Sequence, residues 1–561
     1  MDSIWTAISL MKPKCFMASV DLKDAYYSVR VSYQHQKYLK FVCKGTLYKF
    51  TCLPNGLASC PRKFTKLLKP VYSSLRQQGH VSSPYIDDSI LIGDNYDECA
   101  DNVINTIRLL DNLGFVPHPK KSVFIPTQIL VFLGFLLNSI TMTVSLTPEK
   151  ARKLKAAVNH LLLRQRPCIR EVAQVVGLII SSFPGVMYGP LHFRLTEHEK
   201  SEALKLNAGN FEAHMCLTSL ARNELQWWVD SIDTAVNVVY RPEPDITIRT
   251  DASKQGWGCA VNDLATGGLW TVEEQEDHIN YLEMLAVLFG LKAYKQLVSD
   301  KHVKVLVDNT TVQVTLNKMG TSHSPKLNAL VKSIWDWCII HHIWLTVARI
   351  PGKENIEADY ESRKCRRNTE WCLDKKLFHK ACEKLHFMPN IDLFASRINY
   401  QVKPFFSYHP DPEALAVNAF HQTWSDYKFY AFPPFSIISR VLQKIQKEQC
   451  EGLILVPKWP TQTWWPVAMK MLVQKPVLLP MQEFTLFLPS KPTEKHPLHH
   501  KMSLLLCHLS GNNLRTEVFR KQLQTSWMHH GDQVRVSSMN AIYPNGNYTV
   551  VNGKSIPFIQ L

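Results

Sequence analysis

The chain is 561 residues long, 45% hydrophobic and 20% charged, with a formal net charge of +16. That length calls for several domains, each with its own core, and the basic surplus favours a polyanionic partner over an acidic small molecule. Fourteen cysteines without a single Cys-x-x-Cys pair argue against zinc knuckles and a secreted disulfide framework. No apolar run approaches a membrane span, and a start with Asp2 and no basic stretch is not a signal peptide, so the expectation is an intracellular protein, in cytoplasm or nucleus, without membrane contact.

In chain order, Ala18-Ser19-Val20-Asp21 reads as an apolar strand that ends on an acid and turns into a helix at Asp24-Ala25-Tyr26-Tyr27. Leu53-Pro54-Asn55-Gly56-Leu57-Ala58-Ser59 is a Pro/Gly turn opening a helix. Ser83 to Ile92 reads as a hairpin with Asp87-Asp88 at or beside its turn, anchored by Ile90-Leu91-Ile92. Adjacent carboxylates repel, so a rigid tip that carries them calls for a cation, although Asp-rich hairpin turns are also ordinary solvated features. With Asp21 as a third acid, the set can converge on two Mg²⁺ (or Mn²⁺) ions that activate a 3′-hydroxyl and stabilise a leaving pyrophosphate.

The order Asp21-Leu-Lys-Asp-Ala-Tyr26, Leu53-Pro-Asn-Gly-Leu57, Tyr85-Ile-Asp-Asp88, then Gly114-Phe115 through Lys120-Lys121-Ser122 and Val131-Phe-Leu-Gly-Phe-Leu136, resembles the palm of reverse transcriptases. The resemblance implies that Asp21, Asp87 and Asp88 bind the metals. It also implies that Tyr26 gates against a ribose 2′-hydroxyl, that Asn55 and Gly56 face the nucleotide and template–primer, and that Lys121, in preference to Lys120, protonates pyrophosphate. Only residues 1–20 precede Asp21, so the fingers are expected to be truncated.

Thr147-Pro148-Glu149 opens a basic helical stretch to about Leu163, followed by a second from Ile169 to Ser182, read as thumb and connection or as a packing spacer. Arg241-Pro242-Glu243-Pro244-Asp245 is a candidate boundary. Beyond it, Ile246 to Asp251 is a strand ending in an acid, and Gly256 to Val261 a returning strand. Tyr281 to Leu291 is an apolar helix with the lone charge Glu283, which is costly to bury without a partner. Val303 to Asp308 is another strand ending in an acid, and Asp359 sits at a helix start after Ile350-Pro-Gly-Lys-Glu-Asn355. Each has a structural alternative: Asp308 and Asp359 as helix-terminal acids, Glu283 at a solvated helix edge.

Together the set resembles ribonuclease H, and Asp251, Glu283, Asp308 and Asp359 match its metal-binding carboxylates position by position. The resemblance implies two-metal hydrolysis of the RNA strand of an RNA·DNA hybrid, selected by duplex shape and the 2′-hydroxyl. Ile350 to Glu357 lacks the histidine that many of these enzymes carry before the last carboxylate, and Tyr360-Glu361-Ser362-Arg363 departs slightly from the usual tail.

Further on, Asn390-Ile-Asp392-Leu-Phe394 to Asn399, then Phe432-Pro433-Pro434-Phe435 ahead of a helix from Ile437 to Gln446, and a strand from Leu453 to Pro457, resemble phage-type Dam adenine-N6 methyltransferases. The resemblance implies a Rossmann-like domain for S-adenosylmethionine, with Asp392, Phe394, Asn399, Pro433, Pro434 and Phe435 lining a cofactor-type pocket. Phe432 stands where that family has Asn or Asp, and phenylalanine cannot accept a hydrogen bond from a flipped-out adenine. The plainer alternative is a Pro-Pro turn with aromatic packing.

The expected fold class is therefore α+β and α/β multidomain. Its parts are a palm with partial fingers over 1–146, thumb/connection over 147–240, a ribonuclease H-like mixed sheet with helices over 245–365, a methyltransferase-type domain over 366–485, and a tail of unassigned role over 486–561. The three-part order resembles DIRS-type and Ngaro-type retrotransposon polyproteins. It implies RNA template, DNA primer, dNTPs and RNA·DNA hybrid as partners. The rival readings are a relic that binds nucleic acid without turnover and an active DNA adenine methyltransferase.

Overall fold

The computed structural model describes residues 2–364, 370–499, 501–525 and 547–561. They fall into two compact units, one of residues 1–243 with 318–329 and one of residues 244–317 with 330–561.

The first unit is built around a sheet in the order Val81–Tyr85, Asp88–Gly93, Phe16–Lys23, Val116–Pro117, with Val123–Thr127 also paired to the Phe16–Lys23 strand. The central strand is buried nearly end to end because alternate residues enter two cores. Ala18, Val20 and Leu91 face a cluster with Phe64, Leu68 and Tyr72 of helix Cys60–Gln77 and Cys99, Val103 and Leu110 of helix Tyr96–Asn112. Met17, Ile90 and Ile92 face the opposite way, toward Leu130, Phe135 and Leu137. The Asn102 side chain donates to Val81 O (2.8 Å) and Ile92 O (3.2 Å), tying the hairpin to its covering helix. A second hairpin, Lys40–Cys43 with Thr46–Lys49, is exposed along both strands.

The segment Val131–Leu136 lies in a hairpin, Ile129–Phe132 with Phe135–Asn138, turning at Leu133 (φ +49°) and Gly134 (φ +75°). Two successive positive φ values match the right-handed twist of the flanking strands. This hairpin opens a four-stranded sheet completed by Thr143–Leu146 and Asn237–Val238. The helices expected after Thr147 are present as Pro148–Leu163, capped by the Thr147 hydroxyl, and Ile169–Ile180, followed by Arg194–Leu206 and Ser219–Ser231.

The second unit holds two sheets. The first runs Leu264–Leu269, Gly256–Val261, Ile246–Ala252, His302–Val307, Trp344–Arg349; its first three strands are antiparallel and its last three parallel. Helix Ile356–Arg363 lies so close to it that a Cβ on Gly258 would stand 2.0 Å from Ala358 O, so only glycine fits. The other sheet runs Ile391–Asp392, Lys428–Ala431, Glu451–Pro457, Leu504–Ser510, Val477–Leu478, Ile559–Gln560. Its first three strands are parallel, and Leu504–Ser510 runs antiparallel to Glu451–Pro457 over its whole length. Within the expected tail from 486, the run Leu504-Leu-Leu-Cys-His-Leu-Ser510 is a buried interior strand of this sheet, and Ile559–Gln560 is one of its edges. Arg397 fastens the two sheets' domains. Its buried guanidinium donates to both carboxylate oxygens of Glu274 (2.8 and 2.9 Å) and to Leu269 O (2.9 Å). Among the described residues no helix is long and apolar enough to cross a membrane.

Candidate active sites

The antiparallel register of Phe16–Lys23 and Asp88–Gly93 sets Asp21 directly opposite Asp88. The hairpin pairs Tyr85 with Asp88, so Ile86 and Asp87 alone make its turn. Ile86 holds φ +59°, a strained conformation for a β-branched residue, and the turn is tethered because Leu22 N–H donates to Asp87 O (3.0 Å). Burial pushes Asp88 up to about 7, with further upward pressure from its hydrogen bond to Asp21 and from the Asp21 and Asp87 charges; Lys121 opposes the shift. Lys121 Nζ lies 3.8 Å from Asp21 Oδ2, and the next residue, Ser122, accepts the Asp21 N–H through its hydroxyl (3.0 Å). Tyr26 packs edge-on against Phe64, and burial, then the Asp87 charge, pushes its phenol up. Asn55 reaches the hydroxyl of Tyr27 (3.5 Å), and Gly56 turns at φ +90° just ahead of helix Cys60–Gln77.

A second set of acids gathers on the mixed sheet. Asp251 lies near the end of Ile246–Ala252, and Asp308 directly follows the neighbouring parallel strand His302–Val307. Glu283 enters from helix Ile279–Ala293, where it is 5% exposed between Leu282 and Met284. Carboxylate oxygens of Asp251, Glu283 and Asp308 all lie within 4.8 Å of one another. Burial pushes Glu283 up to about 9, reinforced by the Asp251 and Asp308 charges, and its Oε2 has no hydrogen-bond partner. Asp251 is also raised by burial, against which Ser362 Oγ donates to Asp251 Oδ2 at 2.6 Å. A buried, unpartnered carboxylate oxygen facing two further acids fits a divalent cation. Asp359 is not in this triad: Arg363 Nε and Nη2 each hold its Oδ1 at 2.7 Å. Among the described residues the triad is the only such three-acid group, and Asp21, Asp87 and Asp88 do not close to that spacing. The sequence reading passed over Ser362. Its signal was its place in the segment Asp359-Tyr-Glu-Ser362, one helical turn after the last acid.

The third feature is a cavity of about 1200 Å³ whose lining includes all six residues expected there: Asp392, Phe394, Asn399, Pro433, Pro434 and Phe435. Asp392 and Pro433 lie at the carboxyl ends of parallel strands, where open α/β sheets form ligand crevices. Burial pushes Asp392 up to about 7, opposed by the N–H groups of Gln401 (3.0 Å) and Phe394 (3.2 Å). Tyr430 OH and Gln401 Oε1, also in the lining, are buried without partners.

The first site is a set of carboxylates on an antiparallel hairpin and the strand beside it. Residues 2–137 match the family profile described as "Reverse transcriptase (RNA-dependent DNA polymerase)", and the relatives below are retroelement and viral polyproteins. It is 22% identical over 384 residues to an enzymatic polyprotein of Figwort mosaic virus (strain DxS), covering 64% of this chain and 52% of that protein. It is 28% identical over 141 residues to the Gag-Pro-Pol polyprotein of Human T-cell leukemia virus 2, covering 24% and 10%. It is 27% identical over 150 residues to a retrovirus-related Pol polyprotein from transposon opus of Drosophila melanogaster, covering 27% and 14%. The chain thus spans about half the length of the first relative and a tenth to a seventh of the others. Among solved structures, it is similar to a foamy viral protease-reverse transcriptase in complex with double-stranded DNA, at TM-score 0.37 and 16% identity over 62% of this chain and 59% of that one. It is also similar to one in complex with an RNA/DNA hybrid, at TM-score 0.35 and 17% identity over 64% and 48%.

Proposed function

We propose that this chain copies RNA into DNA at the Asp21/Asp87/Asp88 site and degrades the RNA strand of the resulting hybrid at the Asp251/Glu283/Asp308/Asp359 site, as part of a retrotransposon polyprotein of the DIRS or Ngaro type. The observation that carries the reading is the pairing of Asp21 with Asp88 on a tethered hairpin inside the segment that matches the reverse transcriptase family. Divalent cations, Mg²⁺ or Mn²⁺, supply the positive charge that acidifies the attacking hydroxyl or water and neutralises the leaving group at both sites.

The chain's own residues do the rest. Asp21 and Asp88 would hold an ion between the two strands, with Asp87 presented by the turn. Lys121, beside Asp21, would be the proton donor to pyrophosphate, and Tyr26 the wall against a 2′-hydroxyl on the incoming dNTP. In the second site Glu283 supplies the buried ligand, Asp251 is oriented by Ser362, and Asp308 comes from the neighbouring strand end. The third domain is read as methyltransferase-like without methyl transfer. Its cavity is retained, but Phe432 offers no acceptor for a target amine, so S-adenosylmethionine is not expected to be used.

The test is primer extension on an RNA template with Mg²⁺, alongside cleavage of a labelled RNA·DNA hybrid. Both activities should appear in the parent. Binding that weakens with salt, without either activity, would instead support a nucleic-acid-binding relic.

A further inference from the structure

The acid that completes the second site is the one that stands apart from it. Asp359 and Arg363 lie one turn apart on helix Ile356–Arg363, and two guanidinium nitrogens converge on a single oxygen of Asp359 at 2.7 Å. The same guanidinium feels Asp251 and Asp308 as well as Asp359, so it lies within the field of the cluster. Three acids therefore face one another around the orphaned Glu283 oxygen, while the fourth already has a cation of its own. The pair is open to solvent, with side chains 68% and 41% exposed, and it borders a groove of about 430 Å³ lined by Lys353, Ile356 and Tyr360.

We propose that Arg363 stands at Asp359 in the place of a second divalent cation. The free protein then binds one ion tightly, at Asp251, Glu283 and Asp308, and takes a second only when the guanidinium leaves Asp359. This rests on reading the cluster as a metal-dependent hydrolase site. An exposed ion pair is weak enough to be exchanged, and a fork of guanidinium N–H donors suits phosphate as well as carboxylate. A backbone phosphate of bound nucleic acid is therefore the natural competitor for Arg363. Its arrival would release Asp359, so that filling of the second metal position follows substrate binding.

The experiment is a Mn²⁺ titration of the full chain, read from the electron paramagnetic resonance of free ion, with Asp87→Asn/Asp88→Asn as background to remove the other site. The parent should show one tight ion and a weaker second. Arg363→Gln should tighten the second by about five-fold or more, with Arg363→Lys in between because it keeps charge but loses the fork. Asp359→Asn should lose the second ion and keep the first. Two equally tight ions in the parent, or an unchanged second ion in both Arg363 variants, would overturn the proposal. Asp251→Asn tests the underlying reading separately: persistence of the first ion there would mean that the cluster is not the metal site, whatever Arg363 does.

Discussion

At the first site two acids meet across antiparallel strands at a hairpin, whereas at the second two acids end neighbouring parallel strands and a third arrives from an apolar helix. Asp88 keeps partial exposure, shares a hydrogen bond with Asp21 and has Lys121 nearby, and it is pushed up to about 7. Glu283 has almost no exposure, one oxygen without a partner and the Asp251 and Asp308 charges close by, against which only the Ala252 backbone works, and it is pushed up to about 9. The contrast shows how a site is held ready by different means. The hairpin site depends on a strained turn and on partners that can exchange. The helix site buries a group with one oxygen left unsatisfied, which a cation would satisfy.

The sharpest way to break the comparison is to remove one site and watch the other. Asp251→Asn should lower hybrid cleavage by at least about 100-fold and leave primer extension within a factor of about two, and Asp87→Asn/Asp88→Asn should do the reverse. If either variant abolished both activities, the two sites would not be independent.

Lys121→Ala tests the exchangeable partner at the hairpin. Extension should fall by about 10- to 100-fold with primer binding unchanged, since loss of a proton donor slows chemistry and not association. Ser362→Ala tests its counterpart on the helix. Cleavage should fall by about 10-fold, and the acid limb of its pH profile should move to higher pH, because the hydroxyl that holds Asp251 down would be gone. A uniform loss across pH would mean that Ser362 merely packs.

Much of this was legible in the sequence, for reasons that differ by element. Asp21, Asp251 and Asp308 were readable because short apolar runs stop at them, and Glu283 because it is the lone charge in its run. The hairpin at Leu133-Gly134 carries equally apolar residues before and after its turn, so the run looks continuous in the sequence. The strand Leu504–Ser510 escaped because its partner lies some fifty residues upstream and no local motif marks it, though its apolar run was a usable signal. Ser362 and Arg363 were visible as letters, but their contacts with Asp251 and Asp359 follow from the seating of helix Ile356–Arg363 against the sheet, which no spacing rule specifies.

Asp392 offers the finest test of why burial alone does not set the contrast. It is as buried as Glu283, yet it is pushed only to about 7 and not to about 9. The difference has a visible source: each Asp392 oxygen accepts a backbone N–H, from Phe394 and Gln401, and no acid crowds it. A carboxyl raised above its ordinary value favours the folded state when protonated. Its contribution is therefore complete below about pH 4, declines as pH rises, and is gone above about pH 7. Denaturant melts with a divalent chelator present should show stability of the second unit falling between pH 5 and pH 7. Asp392→Asn, which cannot titrate, should reduce that slope without abolishing it, because Glu283 loses its own contribution across the same range and on toward pH 9. A slope unchanged by Asp392→Asn would place the titrating group elsewhere. A slope at pH 7 to 9 that persists in Glu283→Gln would remove the basis for contrasting a buried acid crowded by other acids with a buried acid that is not.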